Sequence, residues 1–313
     1  MNYLQVAKKI KEYKPPAIDY GWQNAISYSQ MSIYQQCPKR WEFQYKDKNR
    51  RFSSTINTVF GTAIHETLQS FLDKMYAESK AAAERDNWIE YFETKFREEY
   101  LKQFNKNNKI HFSTSEELDE FYSDGVEIIN DFIKHVSHHF TKKGTYLVGC
   151  EIPVRINPDK DNENLIFQGF IDILIYDEDL NTFKVIDIKT SRASWTNNQK
   201  KDNLKQYQLI LYKYCISKIF DIDPKHIEIE FFIVKRKLWD KCDFPQKRIQ
   251  LFHPPSGKIK TKKAVTMMDE FVNECFDGIK HVEKEYEYNK GDSCKWCPYK
   301  GDKLCAATYK KPK

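Results

Sequence analysis

Apolar positions along this chain change their period midway. In "GTAIHETLQSFLDKMYAESKAAAERDNWIEYFETKFREEYLKQF", which begins at Gly61, they recur three or four residues apart between Glu, Lys and Ala. After a polar break the same spacing returns in "EELDEFYSDGVEIINDFIKHVSHHF", so residues 60–140 are predicted to form a helical block. Further along, "TYLVGCEIPVRI", "LIFQGFIDILIYDE" and "TFKVIDIKT" predict three strands, separated by the turn-forming stretches "NPDKDNEN" and "DEDLN". A helix in "NLKQYQLILYKYCISKIF", a strand in "HIEIEFFIVKRK" and a last helix in "KAVTMMDEFVNECFDGIKHVEKEY" follow. Near the start, "ISYSQMSIYQQCPKRWEFQYK" predicts a helix opened by a serine cap, carrying Cys37 and broken by Pro38. The order is that of an α/β chain, with no internal repeat.

Two strands break their own apolar pattern. Side chains alternate across a strand, so Phe183, Val185, Asp187 and Lys189 line one face and Ile186 and Ile188 the other. A carboxylate and an ammonium are thereby expected together at the exposed end of an apolar ridge. Asp-x-Lys alone is ordinarily a salt bridge at a strand end. The preceding strand, however, places Asp172 on a face with Phe170, Leu174 and Tyr176, where an unpaired carboxylate is costly to bury. The short "DEDLN" turn predicts that the two strands are hairpin neighbours, which brings Asp172 and Asp187 to one place. Converging carboxylates repel unless a divalent cation lies between them, and oxygen ligands suit Mg²⁺ or Mn²⁺.

Composition narrows the class. With 313 residues, 40% of them hydrophobic and 15% aromatic, the chain reads as globular. No apolar run approaches a membrane span and "MNYLQVAKKIKEYKPP" lacks the core of a signal peptide, so a soluble, cytoplasmic protein is expected. The net charge of +6 permits a nucleic-acid partner, and the basic clusters "KRWEFQYKDKNRR", "KRK" at 235–237 and "GKIKTKK" at 257–263 favour one locally. Of eight cysteines, Cys150, Cys215, Cys242 and Cys275 stand singly and read as small hydrophobes. Cys37 and the trio Cys294, Cys297 and Cys305 read instead as metal ligands, because a Cys-x-x-Cys cluster without a secretory signal favours metal over disulfides.

Taken in order, these features resemble the PD-(D/E)xK nucleases. The finer pattern is similar to the RecB/AddB-like exonuclease branch and to the CRISPR-associated iron–sulfur exonucleases. It consists of His65 in "GTAIHETL", the Gly-x-x-Asp strand, the Asp-x-Lys strand, Gln208 and Tyr212 in "QLILY", and the four cysteines, from about residue 27 to 305. The resemblance implies a restriction-endonuclease-like core, a mixed central β-sheet flanked by helices, in a single nuclease domain spanning 1–313. It further implies a helical insertion at 66–144 and a cysteine segment at 290–313 that packs against the region around Cys37 and staples the two ends. By the same resemblance His65, Asp172, Asp187 and the backbone carbonyl of Ile188 hold the catalytic Mg²⁺ or Mn²⁺. Lys189 orients a water or neutralises developing charge, and Gln208 and Tyr212, four apart on one helix face, position it. Cys37, Cys294, Cys297 and Cys305 are implied to hold a 4Fe-4S cluster, although four thiolates serve structural Zn²⁺ equally well. The seven residues between Cys297 and Cys305 are a wider interval than the family pattern leads one to expect. Trp296 and Pro298 are expected to shield the cluster, and Glu151 is a weaker site candidate for which a surface ion pair is the plainer reading.

The implied activity is metal-dependent hydrolysis of DNA from an end, preferring single strands, in replication, recombination, repair or processing. The alternatives are a structure-specific or site-specific endonuclease on the same fold, or a catalytically silent DNA-binding module. "PPSGKIK" lacks the first glycine and the Ser or Thr of a phosphate loop, so any helicase or recombination protein would be a separate partner.

Overall fold

The structure is a computed structural model that describes residues 3–140, 143–158, 164–239, 241–301 and 305. The first part of the chain contains α1 (Leu4–Glu12), β1 (Asn24–Ser27), α2 (Tyr28–Gln36) and α3 (Pro38–Trp41). A helical series follows, α4 (Ile56–Ala77), α5 (Lys80–Ala83), α6 (Trp88–Lys106) and α7 (Ser115–His135). Strands β2 (Thr145–Ile156), β3 (Leu165–Asp177) and β4 (Thr182–Ser191) come next, then α8 (Asn197–Lys201) and α9 (Asn203–Phe220). The chain continues through β5 (Ile227–Lys235), β6 (Ile249–Phe252), α10 (Lys258–Cys275) and a small hairpin of β7 (Phe276–Asp277) and β8 (Lys280–His281). Residues 159–163 of the predicted turn, and 302–304 and 306–313 of the expected cysteine segment, lie outside the described residues.

The chain divides into two compact units, one of residues 1–14, 54–154 and 170–261, the other of 15–53, 155–169 and 262–313. In the first unit the predicted hairpin is present: β3 and β4 pair antiparallel from Asp177↔Thr182 to Ile173↔Ile186. β4 then pairs in parallel with β5 along nine residues, and β5 pairs antiparallel with β6. The sheet is therefore mixed, as expected. Its alternation decides which layer covers which face. Ile173, Ile175, Ile186, Ile188, Phe232 and Val234 bury themselves against Phe60, Ile64, Phe71, Phe92, Ile128 and Phe132 of the helical block. The opposite face carries Val185, Asp187 and Lys189 toward α9.

Caps explain where the helices start. The side chains of Thr55 and Thr114 each accept a hydrogen bond from the backbone of the third helical residue, and their own N–H groups donate to that residue's side chain, closing capping boxes at the heads of α4 and α7. Inside α7, Gly125 gives up roughly 1 kcal/mol of helix propensity relative to alanine. A Cβ there would collide with the Phe92 ring, so the glycine is what lets α6 and α7 approach.

In the second unit β1 runs parallel to the first residues of β3, Asn24↔Leu165 to Ser27↔Gln168. The aromatic core of this unit surrounds Trp41, which is fully buried and packs edge-on against Tyr34, Phe271, Phe276 and His281. Three details differ from the sequence reading. The segment beginning at Ile26 opens as the end of a strand, and its helix starts only after Ser27, whose side chain caps it. The helix breaks before Pro38, as expected, but Cys37 lies outside it in an extended conformation, and Pro38 opens α3 at its first position, where its missing N–H is no loss. The last predicted helix ends at Cys275, after which the chain turns through Gly278 at φ +60° into the β7–β8 hairpin.

Candidate functional site

The site forms where the β3–β4 pairing runs out. Past Ile173↔Ile186 the strands no longer exchange backbone hydrogen bonds, and the Ile188 N–H is taken instead by Asp172 Oδ2 at 2.7 Å. A buried N–H needs some acceptor, so the diverging strands turn the Asp172 carboxylate inward. Asp187 lies next to Ile188 on the α9 side of the sheet and is 1% exposed, not at an exposed strand end as the sequence suggested. The reason is α9, which covers this face of β4. Lys189 bridges the two environments: Nζ lies 2.8 Å from Asp187 Oδ2, while about a third of its side chain (34%) remains open.

Helices deliver the other groups. α9 presents Gln208, whose Oε1 accepts from Lys189 Nζ at 3.2 Å and whose Nε2 donates to the Tyr212 hydroxyl at 3.3 Å. The i, i+4 spacing places both on one face, as the sequence indicated. From the other side α4 brings His65, with Nδ1 3.4 Å from Asp172 Oδ2 and a hydrogen bond to the Ile188 backbone. Gly61, one turn earlier, eases this approach, because a Cβ there would stand 3.1 Å from Thr190 Oγ1 at the end of β4, closer than an ordinary contact.

One further pair was not read from the sequence as a unit. Gln69, one turn after His65, donates from Nε2 to Glu151 Oε1 at 2.8 Å and to the Asp172 carbonyl at 3.0 Å. Glu151 sits at φ +50°, a left-handed conformation uncommon outside glycine, and its partner is this amide, not the cation expected of a surface ion pair. The available signal was the i, i+4 relation between His65 and Gln69, with Gln69 a polar residue at a buried helix position.

The electrostatics follow from burial. Desolvation lifts the Asp172 carboxyl to about 6 against the pull of Lys189 and the Ile188 N–H, with the Glu151 charge adding a smaller upward push. Asp187 is likewise raised to about 6 by burial, opposed by Lys189 and reinforced by Asp172. Burial and the neighbouring Lys189 lower His65 to about 4, so its imidazole is neutral at physiological pH. Lys189 loses stability as a cation by burial, yet the charges of Asp187 and Asp172 outweigh this and raise it above its ordinary value. Burial also raises the Tyr212 hydroxyl.

Among the described residues no three His, Cys, Asp or Glu side chains are drawn together as a ready metal site. The chemistry of the donor set nonetheless fits a divalent cation. Asp187 Oδ2 is buried and accepts no well-directed hydrogen bond even with Lys189 close by, and the repelling carboxylates Asp172 and Asp187 face a neutral imidazole.

The family model of the PD-(D/E)XK nuclease superfamily matches residues 25–302. The chain belongs to that superfamily. Two solved structures are similar to this nuclease along most of its length. SSO0001 covers 98% of this chain and 96% of its own at 13% identity and a TM-score of 0.37. A protein from Eubacterium rectale described as a "Putative exonuclease" covers 94% of this chain and 91% of its own, at 11% identity and a TM-score of 0.48. Enzymes of the superfamily usually work with Mg²⁺ or Mn²⁺. No helix among the described residues of this nuclease is long and apolar enough to cross a membrane.

Cys37, Cys275, Cys294, Cys297 and Cys305 belong to the second unit of the nuclease. Cys37, Cys294, Cys297 and Cys305 line one cavity together with Lys39, Arg40, Phe43, Tyr288 and Tyr299. Cys37 reaches it from an extended junction, as the last cap of α2 and the first of α3. Burial raises the Cys297 thiol, Arg40 opposes this, and Cys305 and Cys37 reinforce it. Trp296 corrects an expectation: it is 86% exposed and does not line the cavity, whose aromatic wall among the described residues is Phe43, Tyr288 and Tyr299. Cys215 and Cys275 are buried, as singly placed small hydrophobes should be, while Cys150 and Cys242 are half-buried.

Proposed function

We propose that this chain hydrolyses phosphodiester bonds in DNA from a free end, preferring an unpaired strand, as a RecB/AddB-like exonuclease. The observation that carries the reading is the Lys189 ammonium held against buried Asp187 beside Asp172 and His65. Asp172, Asp187, His65 and the Ile188 carbonyl would hold Mg²⁺ or Mn²⁺. A bound cation supplies positive charge against the phosphoryl oxygens and makes a water easier to deprotonate. His65, neutral above about pH 4, offers a ring nitrogen without first losing a proton. Lys189 stays protonated, so it donates to a phosphoryl oxygen or orients the attacking water and does not act as a base. Gln208 and Tyr212 fix the direction of its hydrogen bonds. Gln69 steadies the Asp172 backbone and so the carboxylate that follows from it.

The cysteine cavity is assigned in the same reading to a 4Fe-4S cluster. Four sulfur donors share one wall, and Lys39 and Arg40 offset the negative charge that four thiolates bring. Structural Zn²⁺ is the alternative occupant of the same donors. A cross-link between Cys37 and the three later cysteines closes a loop of more than 250 residues and restricts the unfolded chain by roughly a few kcal/mol.

The test is cleavage of end-labelled single- and double-stranded DNA with Mn²⁺. Stepwise loss of nucleotides from linear single strands supports the reading, and internal cuts without dependence on an end would replace it with an endonuclease.

A further inference from the structure

The β5–β6 loop leaves the sheet beside the catalytic lysine. Lys235 pairs with Ser191 in the parallel register, and beyond it the Arg236 and Lys237 N–H groups donate to the Ser191 and Arg192 carbonyls at 2.7 and 2.9 Å. Two residues after Lys189 the chain is therefore bound to the root of this loop. Between them opens a largely polar cleft of about 290 Å³ lined by Asn57, Thr58, Thr190, Ser191, Arg192 and Arg236, with Phe60 as its apolar member.

The loop is anchored at its base and clasped near its tip. Arg236 pairs with Asp124 at 2.5 Å and Glu120 at 2.8 Å, with its guanidinium 4.0 Å from the Phe121 ring centre. Arg248 donates to the Lys235 and Arg236 carbonyls and to Glu127. Further out, the Gln246 side chain accepts from the Trp239 N–H at 2.9 Å and donates to the Trp239 carbonyl at 2.6 Å. A loop so held still leaves Trp239 67% and Phe244 79% exposed. Neither ring stacks on another among the described residues, although large aromatic surfaces are usually buried. Residues 235–248 contain six Lys and Arg against two Asp; Arg236, Lys237 and Arg248 are paired with Glu120, Asp124 and Glu127, whereas Lys241 and Lys247 are exposed without a salt bridge among the described residues.

We infer that this loop is a stacking platform for unpaired bases of the DNA strand that enters the catalytic site. Exposed rings on an anchored loop that carries the exposed Lys241 and Lys247, beside a polar cleft lined by Arg192, suit a nucleic acid whose bases are free to stack and whose backbone is anionic. A paired duplex has its base faces already occupied. The inference rests on the nuclease reading for the identity of the strand's destination, and it deepens that reading by assigning strand selection to Trp239 and Phe244.

Binding of a labelled twelve-nucleotide single strand in EDTA tests it independently of cleavage. Trp239→Ala with Phe244→Ala should weaken binding about 10- to 100-fold with an unchanged salt slope, since stacking releases no counterions. Lys241→Gln with Lys247→Gln should instead make the salt slope shallower by about 1.4. Trp239→Phe, which keeps a stacking face, should bind nearly as wild type, and blunt duplex should not distinguish the double alanine variant from wild type. Equal single-strand affinity of wild type and the double alanine variant overturns the inference, including the case in which the rings serve a protein partner. A wild-type protein that binds the strand through these rings yet cleaves nothing in Mn²⁺ would retain the platform and remove the catalytic reading.

Discussion

Lys189 Nζ stands 2.8 Å from Asp187 Oδ2 and 3.2 Å from Gln208 Oε1, which holds a cation between a fully buried carboxylate and an amide. The acid therefore depends on the lysine for its ion pair among the described residues, and the lysine depends on α9 for its direction.

Removing the ammonium exposes that dependence. Lys189→Ala is expected to abolish cleavage and to cost about 1–3 kcal/mol of stability at neutral pH, because Asp187 is left buried without its partner. Asp187 has a folded pKa of about 6, above its unfolded one and held down by Lys189, so in the variant the acid takes up its proton at a higher pH than in wild type and the penalty falls as pH drops toward about 6. Denaturant melts at pH 8 and pH 4.5 should show a smaller gap from wild type at the lower pH. Asp187→Asn should also be inactive while losing much less stability, since the amide carries no charge.

Metal affinity should depend on pH through the two acids and not through the histidine. Asp172 and Asp187 are protonated up to about pH 6 and must release protons to bind a cation, whereas His65 is already neutral above about 4. Titration calorimetry with Mn²⁺ in buffers of different ionisation enthalpy should find tighter binding from pH 5 to 7 and a proton release that fades above pH 7. Proton release in His65→Ala that matches wild type supports this account, and a release that disappears with the histidine contradicts it.

Gln69→Leu is expected to lower kcat more than it raises KM, since it frees Glu151 and the Asp172 carbonyl without touching the rest of the site. The loss of two part-buried hydrogen bonds should cost about 1–3 kcal/mol. Glu151→Gly should be tolerated better than Glu151→Ala in thermal melts, because glycine accepts the left-handed backbone at that position.

Much of this geometry was legible in the chain. The strand alternation around Asp172 and the short turn before Asp187 carried enough to foresee their meeting, because hairpin pairing is local. The helical block was legible for the same reason: its spacing repeats over many turns. What escaped depended on tertiary cover. Asp187 is buried because α9 lies over it, which no feature of "KVIDIKTS" states. β1 is four residues long and becomes a strand only by pairing with Leu165–Gln168, more than 130 residues away. Gln69 and Glu151 are joined across 82 positions by one amide, and an isolated Gln on a helix carries no sign of it.

The cysteine cavity predicts a visible property. Protein prepared without oxygen should be brown and bleach on oxidation, and Cys37→Ala should lose the colour and aggregate more readily. Stoichiometric zinc and no iron, in protein made with ample iron, would assign the donors to a structural metal instead.

The central claim is metal-dependent digestion from a free end at the Asp172, Asp187 and Lys189 site. It is tested most directly by following, with Mn²⁺, a linear single-stranded oligonucleotide beside a covalently closed circle of the same sequence. The account predicts that the linear strand is degraded by wild type and not by Asp187→Asn, and that the circle survives. Equal rates on the two substrates, or undiminished cleavage by Asp187→Asn, would contradict it.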